Sequence, residues 1–269
     1  PAVKQLWGDG DHMAEIDDMV AEQEAIRGEK AKSVCDLFRD KAVRWQVITL
    51  FLVSSCMQLI GVNVVYFYAY DVFIKAGILP AQTHYVSLGV GITEILSTVL
   101  CGFLIERAGR KTLLWTTYTV MALALGLLTV TLSLQDSFYW VPYCSVALIF
   151  IFIMSFGVGP AGVLCPLPTE IFIQSYRPAA YVLNGATNWS QLFILGLLFP
   201  FIEMLLGPFC FLIFVVVLVI SAILIYFFVP ETKGKSTSEI TEEFRTRQFK
   251  KKQHQTMEKN ATEEKTFCT

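Results

Sequence analysis

Gln58 and Asn63 stand in "MQLIGVNVVYFYAYD" (57–71), an apolar stretch that also carries three tyrosines and ends on an aspartate. A side-chain amide donates and accepts hydrogen bonds at once, as a hydroxyl does. Amides with aromatic neighbours therefore suit a neutral, polyhydroxylated ligand, with ring faces covering its C–H surface. A second set lies downstream, where Asn184, Asn188 and Gln191 repeat at i, i+4 and i+7 with Trp189 beside them. That spacing puts the three amides on one face of a helix. Amides facing lipid are costly, so these point into protein or a water-filled cavity. The bland alternative is interhelical bonding that only holds two helices together. A lone amide favours that alternative; the number of amides favours a hydrophilic small-molecule site.

Other chemistries find little support. His12, His84 and His254 have no partner spacing for a metal or a catalytic triad. "GVGPAG" (157–162) has the glycine density of a nucleotide loop but no strand before it and no lysine after it. Cys56, Cys101, Cys144, Cys165 and Cys210 fall in apolar runs, where a small apolar side chain is the plain reading. The chain is expected to be no enzyme, with no metal, no cofactor and no nucleic acid partner. Glu94 is the one anomaly, an ionisable group inside an apolar run and so a functional candidate by default. It pairs with a neighbouring helix, stays protonated through desolvation, or couples protons.

The elements that must position these groups are set by composition. The 269 residues are 54% hydrophobic, too oily for a soluble domain of this length. Apolar runs at about 45–70, 84–105, 112–134, 140–165, 179–203 and 208–229 each approach or exceed the ~20 residues a helix needs to cross a bilayer. "PFCFLIFVVVLVISAILIYFFV" (208–229) has no charge and no polar face. Gly157, Gly159, Pro160, Gly162, Pro166 and Pro168 require the fourth run to be interrupted or kinked. Gly61, between Gln58 and Asn63, gives the first run room to loosen so that both amides face one cavity. Arg107, Arg110, Lys111, Arg177 and the basic tail all fall on the side of the two termini, so the positive-inside rule makes both termini cytoplasmic. Residues 1–43 read as a cytoplasmic amphipathic helical segment, 44–229 as six transmembrane helices and 230–269 as a largely disordered cytoplasmic tail. The chain opens at Pro1 without a methionine and reads as a piece of something longer.

Five stretches in this order resemble the facilitative hexose transporters (GLUT-type sugar porters) of the major facilitator superfamily. "QLIGVNVVYFY" is similar to the family's seventh-helix motif, and "ERAGRK" (106–111) to the signature after helix eight. "TEIFIQSYRPAA" (169–180) resembles the signature after helix ten, "NWSQLF" (188–193) a helix-eleven motif and "PETKGKS" (230–236) the motif closing helix twelve. The resemblance implies an all-α polytopic membrane protein, the six-helix C-terminal bundle of such a transporter, whose N-terminal six-helix half is missing here. It implies sugar contacts at Gln58, Asn63, Asn188 and Trp189, with Phe67 and Tyr68 closing over the sugar and Phe156 lining the cavity. Glu94 takes the place of a helix-eight asparagine in that site. Glu106, Arg107, Arg110, Glu170 and Arg177 match a cytoplasmic salt-bridge clamp of the outward-facing state.

The departures from the pattern concern selectivity. Met57 replaces a glutamine, Gly157 a glutamate and Cys165 a tryptophan, and "LFLVSSCMQ" lacks the QLS triplet of the glucose-selective subclass. These changes predict a wider pocket of the fructose- and urate-carrying kind. The expected function is facilitative uniport of fructose and/or glucose across the plasma membrane by alternating access, with the lipid bilayer and a small sugar as partners. The alternatives are a carrier of urate or another small polar solute, and a membrane sugar sensor that does not transport.

Overall fold

The computed structural model describes residues 13, 16–17, 20, 24, 31–67, 73–74, 78–134 and 137–246, with the side chains of 65–67 and 208 outside that description. Its helices are α1 (Val34–Arg39), α2 (Arg44–Leu59), α3 (Val62–Phe67), α4 (Thr83–Ala108), α5 (Arg110–Ser133), α6 (Val141–Phe156), α7 (Leu167–Ile171), α8 (Arg177–Leu206), α9 (Cys210–Phe228) and α10 (237–246). Six spans, Arg44–Val64, Thr83–Ala108, Arg110–Ser133, Val141–Ile171, Arg177–Leu206 and Cys210–Phe228, are long and apolar enough to cross a membrane.

The helical segments divide into two compact units. The larger contains most of the apolar helices, and α5 shows why they belong in lipid. Leu114, Tyr118, Met121, Leu125, Leu128 and Leu132 recur at helical spacing and are all buried. They form the stripe by which α5 packs against α6 and α9. The opposite face carries Trp115, Leu123, Leu127 and Val130, which are exposed. A helix in water would turn a polar face outward there. Thr117 and Thr129 tie their hydroxyls to their own helix, donating to the carbonyls of Leu113 and Leu125 at 2.8 and 3.0 Å.

Local sequence rules set the breaks. Gly61 takes a φ of +86°, a conformation open to glycine, and separates α2 from α3. The Phe214 ring of α9 lies 2.7 Å from where its β-carbon would stand, so the site also needs glycine for space. The first apolar run thus reaches the described residues as two helices, and 68–70 lie outside them. The "ERAGRK" stretch is not a loop: Gly109 alone, at φ +85°, separates α4 from α5. Glu231 caps that junction, its Oε1 accepting from the Arg110 N–H at 2.9 Å and its Oε2 from the Lys111 N–H at 3.2 Å. A carboxylate at the first turn complements the positive end of the α5 dipole. In the fourth run, Pro160 lacks an N–H and a π-turn spans Gly157–Ala161. The helix resumes beyond it and the span runs on to Ile171.

The smaller unit holds the polar ends. Ser33 and Asp36 form a reciprocal capping box on α1, with the Ser33 N–H donating to Asp36 Oδ2 at 2.9 Å and the Asp36 N–H to Ser33 Oγ at 3.3 Å. Tyr176 donates its hydroxyl to Asp40 Oδ2 at 2.6 Å, and the Ala42 N–H donates to Asp40 Oδ1 at 2.8 Å. The tyrosine bond, then the backbone bond, hold the Asp40 carboxyl below its usual range. Gln46 donates through Nε2 to the Ile171 carbonyl at 2.9 Å and to Thr241 Oγ1 at 3.3 Å. Helix α10 lies within 230–269, the stretch that reads as largely disordered from its sequence. Ser236 and Glu239 cap that helix reciprocally, at 2.8 and 3.3 Å, and Ile240 and Phe244, one turn apart, are buried. Two apolar residues suffice because both find cover; on a charged background they look like tail. Residues 247–269 lie outside the described residues.

Candidate functional site

The amides of α8 are placed by its register. Asn184, Asn188 and Gln191 are each half-buried on a helix that the rest of this chain leaves almost uncovered. Two of them bond to α2. Ser54 Oγ donates to Asn188 Oδ1 at 2.9 Å, and Gln191 Nε2 donates to Ser55 Oγ at 2.7 Å. Part of the stripe is therefore interhelical bonding. It does not exhaust the amides: Asn184 Oδ1 and Gln191 Oε1 are buried and accept no hydrogen bond. Asn188 keeps two N–H donors and one lone pair, since Ser54 takes only one acceptor site. Unfilled buried acceptors are costly, about 1–3 kcal/mol each, so the stripe carries more polar capacity than its contacts within this chain use.

Gln58 stands one turn along α2 from Ser54, on the same face, and is only 4% exposed. Asn63 lies beyond the Gly61 break, half-buried in α3. Phe156, also 4% exposed, ends α6 where the π-turn begins. Trp189 is 73% exposed in this chain. Tyr68 and the side chain of Phe67 lie outside the described residues.

Gly157 corrects one expectation. Its smallness does not open a pocket, because a β-carbon there would lie 1.9 Å from Ser97 Oγ and 2.9 Å from Ser97 Cβ. Gly159 meets Thr117 Oγ1 and Gly162 meets Cys101 Sγ in the same way, at 1.9 and 2.2 Å. The three glycines let the broken helix sit directly against α4 and α5. Glu94 is half-buried at this contact, one turn from Ser97 on α4, and its carbonyl accepts from Ser97 Oγ at 2.8 Å and Thr98 Oγ1 at 2.9 Å. Met57 is half-buried and Cys165 exposed.

The charges expected to form a clamp are divided between the two units. In the larger, Arg110 Nη2 donates to Glu106 Oε1 at 2.8 Å, with the arginine 11% and the glutamate 69% exposed. Lys233 Nζ donates to the Arg107 carbonyl at 2.7 Å. In the smaller, Arg177 Nε donates to the Phe172 carbonyl at 3.0 Å, and Glu170 is half-buried near the end of the fourth span. Sequence reasoning missed Ser54, Ser55, Ser97 and Glu231. Only Glu231 carried a signal, as part of "PETKGKS".

Six apolar spans, one interrupted at a π-turn and one bearing a row of half-buried amides, define a helical membrane bundle. Two solved structures share this fold. The major facilitator superfamily proton:xylose symporter XylE bound to 6-bromo-6-deoxy-D-glucose matches 90% of this chain with 50% of its own, at a TM-score of 0.71 and 20% identity. The inward open xylose transporter XylE from E. coli matches 88% with 48% of its own, at a TM-score of 0.61 and 21% identity. A family model, "Sugar (and other) transporter", matches residues 2–244. The chain belongs to that family of transporters, which are not enzymes. It is 42% identical over 246 residues to the human solute carrier family 2, facilitated glucose transporter member 9, covering 91% of this chain and 46% of that protein. Human member 11 is 42% identical over 248 residues, with coverage of 92% and 50%. Horse member 5 is 38% identical over 243 residues, with coverage of 90% and 48%. The chain thus spans about half the length of the curated relatives it matches.

Proposed function

We propose that this chain is one half of a facilitative hexose carrier and supplies the amide-bearing wall of its sugar site. The observation that carries this reading is the row Asn184, Asn188 and Gln191, half-buried on an apolar span that the rest of this chain leaves almost uncovered. The names of the relatives, facilitated glucose transporters, agree with a hexose ligand. Gln58, Asn63, Glu94, Asn188 and Trp189 bind the sugar in this reading, Phe67 and Tyr68 close over it, and Phe156 lines the cavity. The other wall is a second six-helix half, preceding this one, which also covers the exposed side of α8. Both termini of this segment face the cytoplasm of a plasma-membrane protein, and Glu106, Arg107, Arg110, Glu170 and Arg177 clamp the outward-facing state. The cycle is uniport by alternating access, driven by the sugar gradient. Fructose is preferred over glucose, on the strength of Met57, Cys165 and the missing QLS triplet rather than of Gly157.

The test is D-fructose and D-glucose binding and uptake by the full-length protein that contains this chain. Asn188→Ala or Gln58→Ala should weaken binding about three- to tenfold, the loss of one hydrogen bond to a neutral ligand. Variants that bind normally but melt early would reduce the amides to interhelical bonding. Glucose uptake tenfold above fructose would defeat the selectivity.

A further inference from the structure

A helix break leaves its two halves free to pivot unless something outside the backbone holds them. At Gly61 the helix restarts with a hydrogen bond from the Val64 N–H to the Gly61 carbonyl at 3.1 Å, and a φ of +86° sits on a residue with no side chain to brace it. The brace comes from α9. Phe214 Cγ, Cδ1 and Cδ2 lie 2.7, 2.8 and 3.0 Å from where a β-carbon on Gly61 would stand, and they are the three atoms nearest that point. The base of the ring therefore rests on the Gly61 backbone. That ring is itself held. It is 4% exposed, it belongs to the buried stripe Phe214, Leu218, Ser221 and Ile225, and α9 packs along α5. Phe199 of α8, fully buried, pairs with the same ring, the centroids 6.3 Å apart and the planes tilted by 35°.

We propose that Phe214 is a positioning residue: its ring seats the Gly61 break and so fixes where Asn63 stands relative to Gln58 and to the amide face of α8. This rests on the hexose-site reading above. Gln58 precedes Gly61 and Asn63 follows it, so their spacing depends on the angle at the break and not on helix geometry alone. Phe199 lies eleven residues beyond Asn188, which returns it to the same face of α8. The Phe214 ring thus meets both elements that carry the amides, α2–α3 at Gly61 and α8 at Phe199. Neither phenylalanine has to touch the sugar for this. Hydrogen bonds weaken steeply with distance and angle, so a displacement of about 1 Å at Asn63 is enough to lose one.

Substitutions of Phe214 separate seating from packing, read in the full-length protein by equilibrium binding of radiolabelled D-fructose and D-glucose, with melting temperature alongside. Leucine carries one Cγ and two Cδ carbons, near equivalents of the ring atoms that meet Gly61, but lacks the outer ring that pairs with Phe199. Phe214→Leu should therefore melt earlier and yet bind hexose like the native protein. Phe214→Ala removes the seat and should weaken binding about three- to tenfold, the scale of one misplaced hydrogen bond. Should alanine prevent folding, Phe214→Val, which lacks both δ carbons, is expected to weaken binding in the same direction. In an Asn63→Ala background the loss from Phe214→Ala should shrink below about twofold, because the seat acts through Asn63. A spin label on Asn63→Cys, in a variant whose other reactive cysteines are replaced by serine, reports the seat without any hexose: Phe214→Ala should sharpen its lines and Phe214→Leu should not. Binding that falls in step with melting temperature across leucine, valine and alanine, or a label that ignores the alanine, would overturn the proposal and leave Phe214 as a core residue. If the label responds but Asn63→Ala and Gln58→Ala bind both hexoses normally, the hexose site is rejected, and with it the positioning role, while the seating of the break stands.

Discussion

Replacing Gly157 by alanine decides whether that position belongs to the ligand cavity or to a helix contact. The new β-carbon would stand 1.9 Å from Ser97 Oγ. Ser97 can turn its hydroxyl away only by giving up the 2.8 Å bond to the Glu94 carbonyl, which costs about 0.5–1.5 kcal/mol. Turning does not help the second contact, 2.9 Å to Ser97 Cβ. There the π-turn and α4 must part by several tenths of an ångström, and overpacking of this kind costs about 1–3 kcal/mol. Alanine's smaller loss of backbone entropy offsets about 0.5–1 kcal/mol. The balance is a destabilisation of about 1–3 kcal/mol, or ~2–10 °C in melting temperature for a unit of this size.

The assay is the melting temperature of the full-length protein in detergent, with hexose binding measured on the folded fraction. Gly126→Ala is the control, since a β-carbon on Gly126 meets nothing within 4 Å; it should leave the melting temperature unchanged or slightly raised. Ser97→Ala added to Gly157→Ala removes the hydroxyl contact and should recover part of the loss. If Gly157→Ala melts like Gly126→Ala but shifts the ratio of fructose to glucose binding, Gly157 lines the cavity and the packing account is wrong.

Two other perturbations follow from single contacts. Glu231→Ala should lower stability by about 1–3 kcal/mol, since one carboxylate accepts from the first N–H groups of α5 and from the N–H of Lys233 at 3.2 Å; Glu231→Gln, which keeps one acceptor oxygen, should lose less, and equal melting temperatures for the two variants would refute the capping role. Tyr176→Phe removes the bond that holds the Asp40 carboxyl low. A depressed folded value means the bond stabilises fully above the ordinary carboxylate range, near pH 4, and fades as pH falls through the folded value. The native protein should therefore outlast Tyr176→Phe in a melting series at pH 5–7 and lose that advantage below about pH 4, whereas a gap that ignores pH would show that the carboxylate charge plays no part.

What the sequence disclosed and what it withheld divide along a physical line. Span positions were legible because each apolar run reports its own length, and the helix breaks were legible because glycine and proline act on the backbone where they stand. Gly61 at φ +86° and Pro160 in the π-turn are both of this kind. The amide row was legible as a face for the same reason, since i, i+4 and i+7 are local to α8. Nothing local says what lies behind a residue. Gly157 looks like an absence when its size is compared with glutamate, and so reads as room for ligand; only the approach of Ser97 from α4 shows that the room is already filled. Ser54 and Ser55 likewise read as a missing triplet until Asn188 and Gln191 are found on the other side. Helix α10 hid for the converse reason, because burial of Ile240 and Phe244 is invisible in a charged segment.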